Sequence, residues 1–312
     1  MSTTLTISGD FPGKAPGERE IQAAPATPAK EQTMEKNHPS AAATATVAYV
    51  PPLGEILAGF GRAVLPPVMG IFLLVGIWYL ATMNGGSIPG PQVVWQAAAE
   101  LFADPFYRNG PNDQGIGWNV LASLERVGLG FGLAALVGIP MGFMLGRFRF
   151  LSAMINPIIS LLRPVSPLAW LPIGLLVFQK ADPAATWTIF ICSIWPMIMN
   201  TAQGVQRVPQ DYLNVARVLD LSEWKVVTKI LFPAVLPYML TGIRLSIGTA
   251  WLVIVAAEML TGGVGIGFWV WDEWNNLKVE HIIIAIFIIG IVGLILEQAL
   301  ILLAKKLTKE SS

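Results

Sequence analysis

Six stretches of this chain, 64–83, 122–146, 151–179, 184–205, 234–260 and 281–304, are long and apolar enough to cross a lipid bilayer as helices. One crossing needs roughly 20 mostly apolar residues, so the chain is expected to fold as an all-α integral membrane protein with about six transmembrane helices. The composition agrees: 54% of the 312 residues are hydrophobic and 13% are charged, too apolar a balance for a soluble domain of this size. A formal net charge of zero carries no nucleic-acid signal. The single cysteine, Cys192, excludes an internal disulfide and a cysteine metal cluster, and His38 and His281 are too few for a histidine-rich metal site.

Residues 1–60 differ in character. The stretch up to about residue 50 is rich in Ala, Pro and Thr and has no apolar period, so residues 1–60 are expected to form a disordered cytoplasmic tail ahead of a membrane domain over 61–312. Residues 1–30 lack the apolar core of about 7–15 residues that a cleaved secretory signal requires.

Basic residues accumulate in cytoplasmic loops, and sorting them by loop orients the chain. One side holds Arg62, Arg147, Arg149, Arg207, Arg217, Lys225, Lys229, Lys305, Lys306 and Lys309, the other only Arg108, Lys180 and Lys278. Both termini and the 206–232 loop are thereby expected in the cytoplasm. The opposite loops are acidic and aromatic, with Trp269, Trp271 and Trp274 in the last of them. Such a tryptophan group serves as an interface anchor or as a ligand surface, and the anchor is the commoner use.

Two spans have unusual composition. The second carries Gly128, Gly132, Gly138, Gly142 and Gly146, read as one small-residue face that lets another helix approach closely. The third holds Pro157, Pro164, Pro167 and Pro172, each of which removes a backbone donor. A broken helix at membrane depth must be packed in protein or line a wet cavity, which puts the segment RPVSPLAWLP beside a translocation path.

The loop 206–232 is polar, yet Val208, Tyr212, Val215, Ala216 and Leu219 recur at helical spacing. Asp220 and Glu223 have the spacing of a capping box that would start a second helix bearing Trp224, Val227 and Leu231 and ending at Pro233. A short helix with one apolar stripe lies either in a groove on a partner or on lipid headgroups; the residues alone leave both open.

Ionisable residues inside spans are costly and mark function or internal pairing. Arg163 and Arg244 lie about 18 Å and 16 Å along their helices from Leu151 and Pro233, near mid-membrane. A guanidinium presents paired donors to an oxyanion and stays charged at any working pH, so both are candidates to line an anion path, with Glu258 at its outer mouth. The alternative is that each satisfies freed carbonyls or pairs with a carboxylate. Glu125 with Arg126 is expected to pair where the second span begins, and Glu297 to make a contact near the inner end.

The stretch NVARVLDLSEWKVVTKILFP, from Asn214 to Pro233, resembles the coupling loop of ABC-importer permeases. The family pattern runs E-A-A, three residues, Gly, nine residues, Ile, one residue, Leu, Pro. Here Asn214, Val215 and Ala216 stand for E-A-A, Asp220 for the Gly, Ile230 for the Ile, and Phe232 with Pro233 for the Leu-Pro. The resemblance extends over about 64–305 and, through RPVSPLAWLPI, PYMLTGIRLSIGTAWLVIVAAEML and GGVGIGFWVWDEWNN, points to the branch that imports nitrate, nitrite, cyanate, bicarbonate, taurine and alkylsulfonates, nitrate permeases above all. It implies a multi-pass subunit of a bacterial inner membrane with no catalytic site. Cytosolic ATPase subunits that hold ATP and Mg would dock on Asp211, Tyr212, Asn214, Val215, Ala216, Leu219, Asp220, Leu221 and Trp224. A periplasmic or lipid-anchored binding protein would deliver the anion, and a second copy of the chain would complete the pore. The nearest approach to a phosphate-binding loop, GDFPGKA at 9–15, is too short and lacks the Ser or Thr after Lys. An ion-gradient-driven anion transporter is the competing class, but its matched pair of interrupted segments has only one counterpart here.

Overall fold

The structure, a computed structural model, describes residues 53–310, with side chains over 65–306. The chain divides into units Met1–Gly59 and Phe60–Ser312, and the packing below belongs to the second. The expected tail lies outside the described residues up to 52, while Leu53 onward, assigned to that tail through residue 60, is already helix.

Among the described residues the elements are helical throughout: α1 (Leu53–Thr82), α2 (Pro91–Ala103), α3 (Ile116–Arg147), α4 (Arg149–Leu162), α5 (Pro167–Phe178), α6 (Ala181–Gln206), α7 (Gln210–Val218), α8 (Glu223–Val226), a π-helical turn (Val227–Leu231), α9 (Phe232–Thr261), α10 (Ile266–Asn275) and α11 (Val279–Glu310). Four of them are long and apolar enough to cross a membrane, five if the bent pair α4–α5 is counted as one span. The expected number was six. The segment that falls short is α6, whose 26 residues suffice in length but include Thr188, Ser193, Asn200, Thr201 and Gln203. Its neighbours explain the composition. It packs along α3 and α9 and against α5, and a helix faced by protein has no need of lipid-compatible side chains all round.

Small residues on α3 permit that packing. A Cβ at Gly130 would overlap Ile189, one at Gly142 the Thr201 side chain and Ile198 carbonyl, and one at Gly146 Val205. With Ala134 and Gly138, both buried, these form a stripe at strict four-residue spacing. Gly128 and Gly132 face open space, so the small-residue face expected from the sequence is real but shifted by two residues at its start. It is used within one chain, against α6.

The third expected span breaks where the prolines cluster. Pro157 and Pro172 sit inside α4 and α5 without ending them, whereas Arg163–Ser166 separates the two helices at a bend of 100°. Ser166 restarts the chain as an N-cap, its Oγ accepting from the Leu168 amide at 3.3 Å with Pro167 at the first helical position.

Candidate functional site

Helix α7 is short and two-faced. Leu213 and Ala216 point inward and join Val205, Val208, Val226, Leu231, Val235 and Met239 in a buried cluster that fixes the loop to α6 and α9. The opposite face exposes Tyr212, Val215, Val218 and Leu219, and Trp224 follows on α8 with 75% of its surface open. The stripe read from the sequence therefore splits: Val208 and Ala216 hold the loop to its own chain, while Tyr212, Val215 and Leu219 are presented outward. Asp211 and Asn214 are exposed beside them, and Leu221 is partly buried against the inner cluster.

The turn after α7 is a Schellman motif. Asp220 has φ 48°, its amide donates to the Arg217 carbonyl at 3.1 Å, and the Leu221 amide donates to the Ala216 carbonyl at 3.0 Å. Left-handed backbone is what a glycine supplies freely, and aspartate is one of the few L-residues that tolerates it. At the position of the pattern's Gly, Asp220 thus holds a backbone conformation that glycine adopts freely. The expected capping box is not formed: Ser222 is the N-cap of α8, and Glu223 reaches across to Arg147 at the end of α3, accepting from Nη2 at 2.9 Å and Nε at 3.2 Å. Nor does the second helix stop at Pro233. From Glu223 to Thr261 the chain runs as one 39-residue helix that passes through the π turn just ahead of Pro233, so the loop is continuous with a membrane-spanning rod.

The charged positions resolve into three environments. Glu258 is 1% exposed and enclosed: it accepts from Ser123 Oγ at 2.7 Å, Arg126 Nη1 at 2.7 Å and the Gly267 amide at 3.0 Å. Arg126 also binds Asp182 at 2.7 Å and the Val264 carbonyl at 2.7 Å, so its partners are Glu258 and Asp182, not the expected Glu125. Asn119 Oδ1 and Ser123 Oγ receive the amides of Gly265 and Ile266. The group ties α3, α6 and α9 to the loop before α10, and the spacing of Asn119, Ser123 and Arg126 on one face of α3 was the available sequence signal. Arg244 is ion-paired with Glu297 of α11.

Arg163 closes α4 at the break. Its Nη1 donates to the Met199 thioether at 3.4 Å, and no carboxylate pairs with it among the described residues. It borders a cavity of about 410 Å³ shared with Pro196, Met199, Asn200, Gln203, Leu245 and Thr249. Asn200, Gln203 and Arg207 continue as a polar stripe along α6, with the Arg207 guanidinium 5.4 Å from the Tyr238 ring. The sequence reading did not single out Asn200 or Gln203, although polar residues at i and i+3 within an apolar segment would have located them.

The family described as binding-protein-dependent transport system inner membrane component matches residues 137–309. The nitrate import permease protein NrtB of Leptolyngbya laminosa is 45% identical over 258 residues, covering 83% of this chain and 92% of the relative. The bicarbonate transport system permease protein CmpB of Synechococcus elongatus is also 45% identical, over 75% of this chain and 86% of its own length. A solved inward-facing MetNI methionine ABC transporter chain shares the fold with a TM-score of 0.52 at 14% identity, covering 62% of this chain and 94% of that one. A family match over more than half the residues, together with full-length relatives of this identity, shows that the chain belongs to the binding-protein-dependent transport system inner membrane components, the ABC-importer permeases.

Proposed function

We propose that this chain is the membrane-spanning subunit of an ATP-driven importer that passes a small planar anion, nitrate or nitrite foremost, from a binding protein into the cytoplasm of a bacterial cell. The observation that carries the proposal is the outward apolar face of α7, continued by Trp224 on α8, whose helix runs without interruption into α9. A cytosolic ATPase that holds ATP and Mg docks on this face, and its displacement passes along the rod to Leu245 and Thr249 beside Arg163. Both chain termini lie on the ATPase side, and a second copy of the chain completes the pore.

Arg163 is the cation of the path in this reading. Its paired donors suit a planar oxyanion, and the carboxamides of Asn200 and Gln203 add neutral donors. Arg244 is neutralised by Glu297, and Glu258 acts as a structural tie. The nitrate permeases of Leptolyngbya laminosa and Synechocystis, at 45% and 47% identity, support nitrate. The bicarbonate permease at 45% supports bicarbonate as the second reading, and the two ions share planarity and size.

The test is ATP hydrolysis and uptake by the complex in proteoliposomes, with binding protein loaded in turn with nitrate, nitrite, bicarbonate, cyanate or taurine. Nitrate or nitrite is expected to give the strongest stimulation. Stimulation by taurine alone would overturn the planar-anion reading. In the same complex, Arg163→Gln is expected to lower anion uptake about tenfold or more, the loss of one charged hydrogen bond, and unchanged uptake would remove Arg163 from the path.

A further inference from the structure

A second basic site lies where α3 passes into α4, against the docking helix. It is a cavity of about 720 Å³ whose lining includes three arginines: Arg147 in the last turn of α3, Arg149 in the first turn of α4, and Arg217 in the last turn of α7. Ser152, Gln206 and Gln210 add hydrogen-bonding side chains, and no carboxylate is among the lining residues. Glu223 takes up the charge of Arg147. Arg217 Nη1 donates to the neutral Asn214 Oδ1 at 3.0 Å, and neither Arg217 nor Arg149 has an acidic partner among the described residues. Two arginines lining one volume are thus uncompensated among the described residues.

The floor of the cavity is apolar and buried, formed by Leu145, Val205, Leu213 and Leu231, which strengthens any ionic contact made above it. Exposed Phe148 and Phe150 flank Arg149. Arginine forks match phosphate oxygens in pairs, and basic pockets at the ends of membrane helices take anionic headgroups. A carboxylate's two oxygens lie in one plane and suit a single fork; the non-bridging oxygens of a phosphodiester or of free phosphate diverge tetrahedrally and can be met by guanidiniums from different elements.

We propose that this cavity binds a phosphate group, bridging Arg149 of the α3–α4 elbow to Arg217 of α7 and so steadying the docking loop. The group belongs either to an anionic phospholipid headgroup or to free phosphate. The site is built from residues outside the anion path and does not depend on which cargo the importer carries. Its occupancy ties the position of α7 to the elbow, in addition to the existing Arg147–Glu223 contact with α8.

The experiment reads the thermal unfolding midpoint of the assembled permease–ATPase complex in nanodiscs. One arm titrates phosphatidylglycerol into phosphatidylcholine discs; the other adds inorganic phosphate to pure phosphatidylcholine discs against chloride at equal ionic strength. The midpoint is expected to rise in at least one arm, with half-saturation displaced about tenfold or more in Arg149→Gln/Arg217→Gln, as expected for lost charged hydrogen bonds. A rise with lipid alone identifies a headgroup, and a rise with phosphate identifies the soluble ion. If the double variant does not assemble, Ser152→Glu against Ser152→Gln decides, because the two differ in charge at nearly equal size, and only Glu is expected to abolish the response. No rise in either arm, or the same response in wild type and variants, overturns the site.

Discussion

Asp220 occupies a backbone position that L-residues enter at a cost of roughly 1–2 kcal/mol, and aspartate lessens that cost without removing it. Asp220→Gly is expected to raise the unfolding midpoint of the purified complex slightly, by less than the roughly 1–2 kcal/mol that left-handed backbone costs an L-residue, and to leave co-purification of the ATPase intact. Asp220→Val is expected to lower stability by about 1–2 kcal/mol and to weaken docking in a pull-down. Glu258 sits in a different balance. Removing its charge leaves Arg126 partly buried with Asp182 as its remaining acid, and Glu258→Gln is expected to cost about 3–5 kcal/mol, the range for breaking a buried pair from one side, measured as a lower unfolding midpoint. The sequence placed Asp220 at the pattern's glycine position by spacing alone, but whether its conformation matched was decided by two backbone hydrogen bonds. Glu258 and Arg126 were both visible as intramembrane charges; that they face each other across 132 residues was not.

At the scale of elements, the contact between α3 and α6 rests on the Gly130–Gly146 stripe. Gly142→Ala is expected to lower stability by about 1–3 kcal/mol through overpacking against Thr201 and Ile198. Gly132→Ala, which faces open space, is expected to be neutral or to gain up to about 1 kcal/mol from helix propensity. Comparing the two unfolding midpoints separates packing from propensity. On α7 and α8, Tyr212→Asp/Trp224→Asp is expected to abolish co-purification of the ATPase while the permease remains folded, since neither side chain is buried in the chain itself. Helical periodicity found α7, yet it could not tell which apolar residues turn inward. That division depends on where α6 and α9 lie. The same dependence hid the nature of α6, which reads in sequence as one more span over 184–205 and is a central helix in the structure, surrounded by α3, α5 and α9.

For the whole molecule, the consequential connection is the continuous helix from Glu223 to Thr261, which joins Trp224 of the proposed docking face to the neighbourhood of Arg163. Replacing Thr228 and Lys229 in the π turn by glycine is expected to soften the helix by about 1 kcal/mol for the pair. The expected readout in proteoliposomes is fewer anions transported per ATP hydrolysed, with ATP hydrolysis retained; an unchanged ratio would show that the rod does not carry the displacement. The sequence by itself determined the helical membrane class, the position of the α7–α8 loop proposed for docking, the break in the third span and the charged residues worth following, because hydropathy, proline chemistry and residue spacing are local properties of the chain. Tertiary structure alone decided which charges are spent on one another, which face of α7 is open and which cation is left facing a cavity, because burial and ion pairing depend on groups brought together from distant parts of the chain.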